Sequence, residues 1–172
     1  MNFDGLNDEL QPFIPQINNA TNFTVSFWIF RRSNSGTAFN GIISRLVGTA
    51  SRFDILLAGT WAGADDFFLR VAGDGPKECS GWTTGNIIPL SQWVFVVWQW
   101  STPNNMTLHL NGTNRTVTLN KSESPGQVGS VTNNVVIGNY FGAFFDGCLS
   151  DIRIYNKIVD SISNGVIVES TL

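Results

Sequence analysis

The sequence predicts an all-β protein of the sandwich or barrel type, with residues 1–172 in a single domain. Short runs rich in β-branched and aromatic residues recur between clusters of Gly, Asn, Ser and Thr, which is the pattern of strands joined by turns. The 3.6-residue periodicity of amphipathic helices is almost absent. A length of 172 residues fits one domain, and no linker, low-complexity tract or long internal repeat divides the chain.

The main strands are expected where apolar residues alternate or run together between turn-forming residues. They are predicted at 22–31, 39–47, 53–58, 67–71, 92–101, 106–110, 115–119, 134–137 and 148–155. Shorter strands are expected near Phe3 and Leu10. The Asn111-Gly112 pair predicts a tight hairpin turn after the strand at 106–110.

The last strand is predicted to have one mostly apolar face and one mixed face. Under unbroken alternation the apolar set is Cys148, Ile152 and Ile154, and the mixed set is Leu149, Asp151, Arg153 and Tyr155. After it, residues 156–167 are expected to form at most a short helical turn, with Asp160 as N-cap and Gly165 as stop.

Two strands carry large apolar side chains on both faces. They are FTVSFWIF at 23–30 and WVFVVWQW at 93–100. Such strands lie in the middle of a sheet, and their outer face is either roofed by loops or binds something. We expect core packing for most of these rings, because Trp is usually largely buried.

Composition excludes several classes of partner. The net charge is −3 and only ten Lys and Arg are scattered along the chain, so no basic stripe is available for nucleic acid. The longest apolar stretch, at 93–98, is about a third of the roughly 20 residues that a membrane span requires. Only 13% of residues are charged, and this neutral polar surface is typical of an extracellular or virion-type β protein.

Two further observations bear on the compartment. The start, MNFDGLNDEL, lacks the basic and apolar regions of a signal peptide. Cys79 and Cys148 are the only cysteines, and they allow either one bridge or two free thiols.

Taken in order, six segments resemble the laminin G-like branch of the concanavalin A-like lectin/glucanase superfamily. They are MNFDGLND, FTVSFWIF, IISR, LSQWVFVVWQW with MTLHLNG, IGNYFGAFFDG and SDIRIYNKIV. The resemblance covers nearly the whole chain. It implies a two-sheet antiparallel jelly-roll β-sandwich in which the strand at 148–155 returns beside the N-terminal strand.

The resemblance implies binding rather than catalysis. Glycosidases of this superfamily carry carboxylates alternating along one strand, whereas Glu9, Glu78, Glu123 and Glu169 are widely separated and His109 is the only histidine. We therefore expect no enzyme activity.

Calcium is the metal that the resemblance suggests, although no cofactor is expected here. Relatives commonly carry two acidic residues where this chain has Ser150-Asp151. The remaining candidate ligands are Asp4, Asp8, Asp146 and Asp151.

A glycan site would combine aromatic faces with short polar side chains. The candidate ligand-binding residues, all placed in Gly-flanked loops, are Trp61, Trp82, Thr83, Asn86, Tyr140 and Phe141. For Trp61 and Trp82, plugging the end of the sandwich is an equally good interpretation, and for Phe144 and Phe145 it is the better one.

The predicted function is a lectin-like binding or adhesion module that recognises glycans or a surface protein. The alternative is a structural surface protein of an assembly, such as a virion decoration, fibre-head or minor coat protein. In that case the same sandwich makes subunit contacts in a homo-oligomer or larger assembly.

Overall fold

The computed structural model describes residues 1–34, 39–47, 50–59, 66–85, 87–130, 132–159, 161–163 and 166–168. Within these ranges the chain is all β apart from one 3-10 turn at Pro15–Ile17, as predicted. The strands are β1 Asn2–Asp4, β2 Asn22–Arg31, β3 Phe39–Val47, β4 Ala50–Ala58, β5 Asp66–Ala72, β6 Glu78–Trp82, β7 Trp93–Ser101, β8 Asn105–Leu110, β9 Thr113–Arg115, β10 Thr118–Ser122, β11 Val136–Ile137, β12 Asn139–Tyr140, β13 Ala143–Phe144, β14 Asp146–Tyr155, β15 Ser161–Ser163 and β16 Val166–Val168.

Two six-stranded antiparallel sheets form the sandwich. Sheet I has the order β1-β14-β2-β7-β8-β9, and sheet II has the order β10-β6-β5-β4-β3-β11. The last long strand pairs with the first, with Phe3 opposite Gly147. The predicted closure of the sandwich edge is therefore confirmed.

The core lies between the sheets and is rich in aromatic rings. Phe23 of sheet I lies 5.2 Å from Phe53 of sheet II and 4.9 Å from Trp98, measured between ring centroids. All three side chains are fully buried, as is Trp100. Core packing is thus confirmed for the inward face of 93–100, where each large apolar side chain contributes roughly 1.5–3 kcal/mol on burial.

The predicted strand at 115–119 is wrong. The hairpin at Asn111-Gly112 forms, with both residues at positive φ as a tight primed turn requires. Its return strand β9 ends at Arg115, and the chain then crosses to sheet II, where β10 pairs with β6. Val117 packs against the core at the crossing, so burial of this side chain accompanies the change of sheet.

The predicted C-terminal helical turn is also wrong for the described residues. Strands β15 and β16 pair with each other, with Ile162 opposite Ile167. All three residues of β16 are β-branched, as is Ile162 of β15, and such residues favour extended backbone. Asp160 and Gly165, the predicted cap and stop, lie outside the described residues.

Both cysteines are free thiols, Cys79 in the core and Cys148 half-buried in sheet I. The described part of the chain contains no helix of the length and apolar character needed to cross a bilayer.

Candidate functional site

Sheet II has an aromatic and apolar row on its outer face, the side turned away from sheet I. Strand alternation sends Ile55 and Leu69 into the core, so Leu56 and Phe68 lie on the opposite side. The register aligns the outer row across five strands, in the order Gly41, Leu56, Phe68, Trp82 and Thr118.

Five rings gather around this row, and we call them the outer aromatic cluster: Phe39, Phe68, Trp82, Tyr140 and Phe141. The centroid distances are 5.5 Å from Phe39 to Phe68, 6.1 Å from Phe39 to Tyr140 and 4.9 Å from Tyr140 to Phe141. Trp82 packs against the same group from β6. Phe68 is nearly buried, whereas Phe141 is 52% exposed, so the cluster is anchored in the sheet and open at one end.

The β12–β13 hairpin delivers Tyr140 and Phe141 to this face. Its turn is formed by Phe141 and Gly142, at φ values of 49° and 84°, which fits a tight primed turn. The hairpin lies directly on β3, where a Cβ added at Gly41 would be 2.1 Å from the carbonyl carbon of Asn139. The Ser44 hydroxyl donates to the backbone oxygen of Asn139 at 3.0 Å and holds the hairpin in place.

A polar row runs beside the aromatic one, two residues away on β4, β5 and β6 and three residues away on β3 and β10, where the register shifts. Register aligns Ser44, Asp54, Arg70, Ser80 and Lys121. The Arg70 Nε donates to Asp54 Oδ2 at 2.7 Å, and its Nη2 donates to the Tyr140 hydroxyl at 3.0 Å. The guanidinium also lies 5.7 Å from the centroid of Phe68, so one cation joins the two rows.

The guanidinium of Arg70 stays protonated in this setting. Burial by itself would lower the pKa of the guanidinium, but the Asp54 carboxylate and the Tyr140 hydroxyl outweigh it, and the pKa of Arg70 is raised. Because the phenol oxygen accepts from Arg70, the O–H of Tyr140 is able to donate to a ligand. The site therefore offers an aromatic surface next to hydrogen-bonding groups of both kinds.

The structure brings together some of the residues predicted for the site. Tyr140 and Phe141 were expected in a loop, whereas Tyr140 ends strand β12 and Phe141 lies in the turn of the β12–β13 hairpin. Tyr140 packs against the same buried group as Trp82. Trp82 itself is not in a loop, because it ends strand β6, which the sequence analysis missed. Trp61 and Asn86 lie outside the described residues.

Thr83 serves the fold. It is buried, and its hydroxyl accepts the backbone N–H of Phe67 at 3.0 Å. Phe145 is buried against Phe3, with centroids 6.1 Å apart, which confirms that it plugs the sandwich.

Sequence reasoning missed Phe39, Phe68, Asp54 and Arg70 as parts of this site. A signal for Phe68 was present, because DILLA and FFLRV have apolar residues on both faces of their strands. Nothing local marks the Asp54–Arg70 pair, because it depends on the register between β4 and β5.

The four candidate calcium ligands each bind protein groups instead. Asp4 accepts backbone N–H groups of the following turn, and Asp8 accepts the N–H of Asp4. Asp146 pairs with Arg32, and Asp151 pairs with Arg153. Among the described residues no three His, Cys, Asp or Glu side chains converge.

A groove of about 840 Å³ lies elsewhere, between the segment at 10–14 and strand β14. Its lining includes Phe13, Ile152 and Ile154, and Gln11 is the only polar side chain among the described residues that line it. A sugar needs several hydrogen-bonding partners. The groove is therefore a poorer glycan site than the outer face of sheet II.

A model of the concanavalin A-like lectin/glucanases superfamily matches residues 5–161 of the chain. A search of curated protein sequences finds no match.

Solved structures with the same fold have low sequence identity to this chain. The IT-sialidase CBM40 from Ruminococcus gnavus, solved with α2,3-sialyllactose, has a TM-score of 0.66 and 13% identity over 93% of this chain and 92% of its own. A heptameric SAP-like pentraxin from Limulus polyphemus has a TM-score of 0.60 and 18% identity, over 95% and 77% of the two chains.

Domain 4 of a GH43 extracellular arabinanase from Geobacillus stearothermophilus, solved with arabinotriose, has a TM-score of 0.54 and 19% identity over 84% of this chain. This chain spans 64% of that structure, and in two further matches it spans 38% and 36% of the other protein.

Proposed function

This chain belongs to the concanavalin A-like lectin/glucanase superfamily, and from that premise we propose that it is a non-catalytic glycan-binding module whose site is the outer face of sheet II. The observation that carries the proposal is the pair of parallel rows on that face. A sugar ring has an apolar side that stacks on aromatic rings and hydroxyls that need polar partners. The two rows supply both, because they lie two residues apart along β4, β5 and β6.

The partially open rings define where the sugar sits. Trp82 and Tyr140 are half-buried and Phe141 is exposed, so they are held by the fold and still reach solvent. Arg70 and the Tyr140 hydroxyl lie at the border between the rows. A sugar stacked on the rings thus has hydrogen-bonding groups at its edge.

The two carboxylates described on this face do not form a hydrolytic pair. Glycoside hydrolysis requires one acid and one base or nucleophile flanking the scissile bond. Asp54 is buried and paired with Arg70, and Glu78 is paired with Lys121 at 3.2 Å. Both carboxylates therefore have structural partners, which supports binding without turnover.

The sugars bound in two structures of the same fold support this proposal. The CBM40 and arabinanase structures were solved with sialyllactose and arabinotriose, and the arabinanase is described as extracellular. With the neutral polar surface, this supports an extracellular or virion-surface module. We propose a glycan partner, no nucleic acid, no membrane insertion and no metal.

A glycan array tests the proposal with two matched variants. Tyr140→Ala removes a ring and a hydroxyl from the proposed site. Trp93→Ala removes a ring that is 47% exposed on the outer face of sheet I, so it is the control. Binding by the wild type and by Trp93→Ala, with loss in folded Tyr140→Ala, supports the site. No glycan bound by folded wild type, or loss in Trp93→Ala only, contradicts it.

The outer face of sheet I favours a second candidate function, a structural surface protein. The exposed Trp93 lies 5.5 Å from the half-buried Phe30 in a tilted arrangement, and the half-buried Trp28 lies 5.1 Å from the buried Phe95. Apolar rings that reach the surface side by side can form a contact surface between proteins. Sedimentation over a concentration series tests it: self-association that Trp93→Ala weakens supports assembly, and a monomer at every concentration contradicts self-assembly.

A further inference from the structure

The N-terminal segment lies against the strand that leads into the β12–β13 hairpin. Leu10 and Ile137 exchange two backbone hydrogen bonds, of 2.9 and 2.8 Å. A Cβ added at Gly138 would lie 3.0 Å from a backbone oxygen of the same segment, so the two stretches of chain pass each other closely. Glu9, which precedes Leu10, is thereby placed beside the base of the hairpin.

The side chains of Glu9 and Asn139 are joined by a hydrogen bond. The Nδ2 of Asn139 donates to Oε2 of Glu9 at 2.6 Å, and Oε1 of Glu9 accepts from Nε2 of Gln11. Hydrogen bonds to an ionised acceptor are stronger than those between two neutral groups. The Glu9 carboxylate therefore gives the amide of Asn139 a preferred orientation.

The other half of the same amide holds the turn of the hairpin. The Oδ1 of Asn139 accepts the backbone N–H of Gly142 at 2.8 Å, and Asn side chains commonly stabilise turns in this way. Gly142 directly follows Phe141, the most exposed ring of the outer aromatic cluster. Because one planar amide makes both bonds, the orientation that satisfies Glu9 also serves the turn.

From these contacts we propose that Asn139 is a positioning residue of the site on the outer face of sheet II and that the Glu9 carboxylate sets the orientation of its amide, a role that rests on the proposed glycan-binding function. The N-terminal segment acts on ligand affinity through the hairpin. It keeps Tyr140 and Phe141 where a sugar ring stacks. A loosened hairpin would have to be ordered when the sugar binds, and this ordering lowers affinity.

The test changes the amide of Asn139 by one atom. Asn139→Asp keeps an oxygen for the N–H of Gly142 but would put a carboxylate oxygen where Nδ2 lies, 2.6 Å from Oε2 of Glu9. Like charges at this distance repel, so affinity for the oligosaccharide with the strongest wild-type array signal should fall about tenfold. The loss should shrink in about 1 M salt, which screens the repulsion.

The reciprocal exchange separates positioning from a general loss of packing. In Glu9→Gln with Asn139→Asp, the new amide donates to the new carboxylate and its oxygen still accepts from Gln11. Affinity should return to within about threefold of the wild type. Gln127→Glu is the matched control: it adds the same charge and removes an exposed side-chain hydrogen bond, that to Asn19, and affinity should not change.

The results distinguish the positioning role from glycan binding itself. If Asn139→Asp binds as tightly as the wild type, or if the double variant stays as weak as Asn139→Asp, the positioning role is wrong and glycan binding stands. If folded wild type binds no glycan, both are wrong. Glu9→Ala leaves the hairpin sequence intact and should weaken binding about threefold even where Asn139→Asp does not fold. Wild-type affinity in Glu9→Ala overturns the proposal.

Discussion

The Nε atom of Arg70 on β5 donates to Oδ2 of Asp54 on β4 at 2.7 Å, across a register in which the two residues face each other directly. This contact links the aromatic row to the polar row, because the same guanidinium reaches the Tyr140 hydroxyl. It is both a structural element of sheet II and the centre of the proposed site.

Replacing Arg70 with Met should lower the free energy of unfolding by about 3 kcal/mol, because it removes a cation that is hydrogen-bonded to the buried Asp54 carboxylate. Urea denaturation measures the change. In the double variant with Asp54→Asn, part of the loss should be recovered, with a coupling of at least about 1 kcal/mol. If the double variant loses the sum of the free energies lost by the two single variants, the pair is not coupled.

Gly41→Ala should destabilise the protein and disturb the site together. The added Cβ would meet the Asn139 backbone at 2.1 Å, so the β12–β13 hairpin must lift from β3, at a cost of about 1–3 kcal/mol. Glycan binding should fall with it, because Tyr140 is displaced. Gly75→Ala is the matched control, since its added Cβ meets nothing within 4 Å. If both variants lose the same amount of stability and of glycan binding, the close approach of the hairpin to Gly41 does not position the site.

Substitutions at Phe141 should affect glycan binding and the free energy of unfolding differently. Its φ of 49° is unfavourable for a residue with a Cβ. Phe141→Gly should therefore leave the unfolding free energy unchanged or raise it by up to about 1 kcal/mol, while glycan binding weakens through loss of the exposed ring. Phe141→Ala keeps the backbone strain and loses the same ring. Thermal melts and array binding of the two variants check this, and a marked loss of stability in Phe141→Gly would mean that the ring is a packing element.

Calcium should not change the melting temperature. The aspartates that the sequence suggested as ligands are occupied by backbone N–H groups or by arginines. A metal bound only to the folded state at about a hundred times its dissociation constant would add roughly 2.7 kcal/mol. Melts with excess calcium and with chelator should coincide, and a shift of that size would reveal a site that these aspartates do not explain.

Two strands could be located from the sequence because their apolar residues run between clusters of turn-forming residues. β2 and β3 have the predicted bounds, Asn22–Arg31 and Phe39–Val47. β6 was missed because ECSGW has too few apolar residues to signal a strand. It forms through pairing with both β5 and β10, which is tertiary information.

The predicted alternation in β14 failed at a single residue. Asp151 has a φ of 49° and sits in a bulge between Ser150 and Arg153. The extra residue shifts the parity of the strand, so Leu149, Ile152 and Ile154 all pack toward the core. A bulge of this kind is set by the partner strands, and the sequence pattern alone could not place it.

The site was predictable only in part, because its geometry also depends on how separate strands pack together. Tyr140, Phe141 and Trp82 were all marked by neighbouring glycines. Their convergence with Arg70 depends on how the β12–β13 hairpin lies over β3, where Gly41 provides the space.

The proposed glycan site on the outer face of sheet II is tested most directly by ¹⁵N NMR. The oligosaccharide that gives the strongest array signal is added stepwise, and the indole N–H peaks of the tryptophans are followed. The chain has six tryptophans, and each indole peak can be assigned with a Trp→Phe variant. The Trp82 peak should shift with saturation, while the peaks of the buried Trp98 and Trp100 and of the sheet I residue Trp93 should stay in place. A shift of the Trp93 or Trp28 peak with the Trp82 peak unmoved would put the ligand on the opposite sheet and contradict the proposed site.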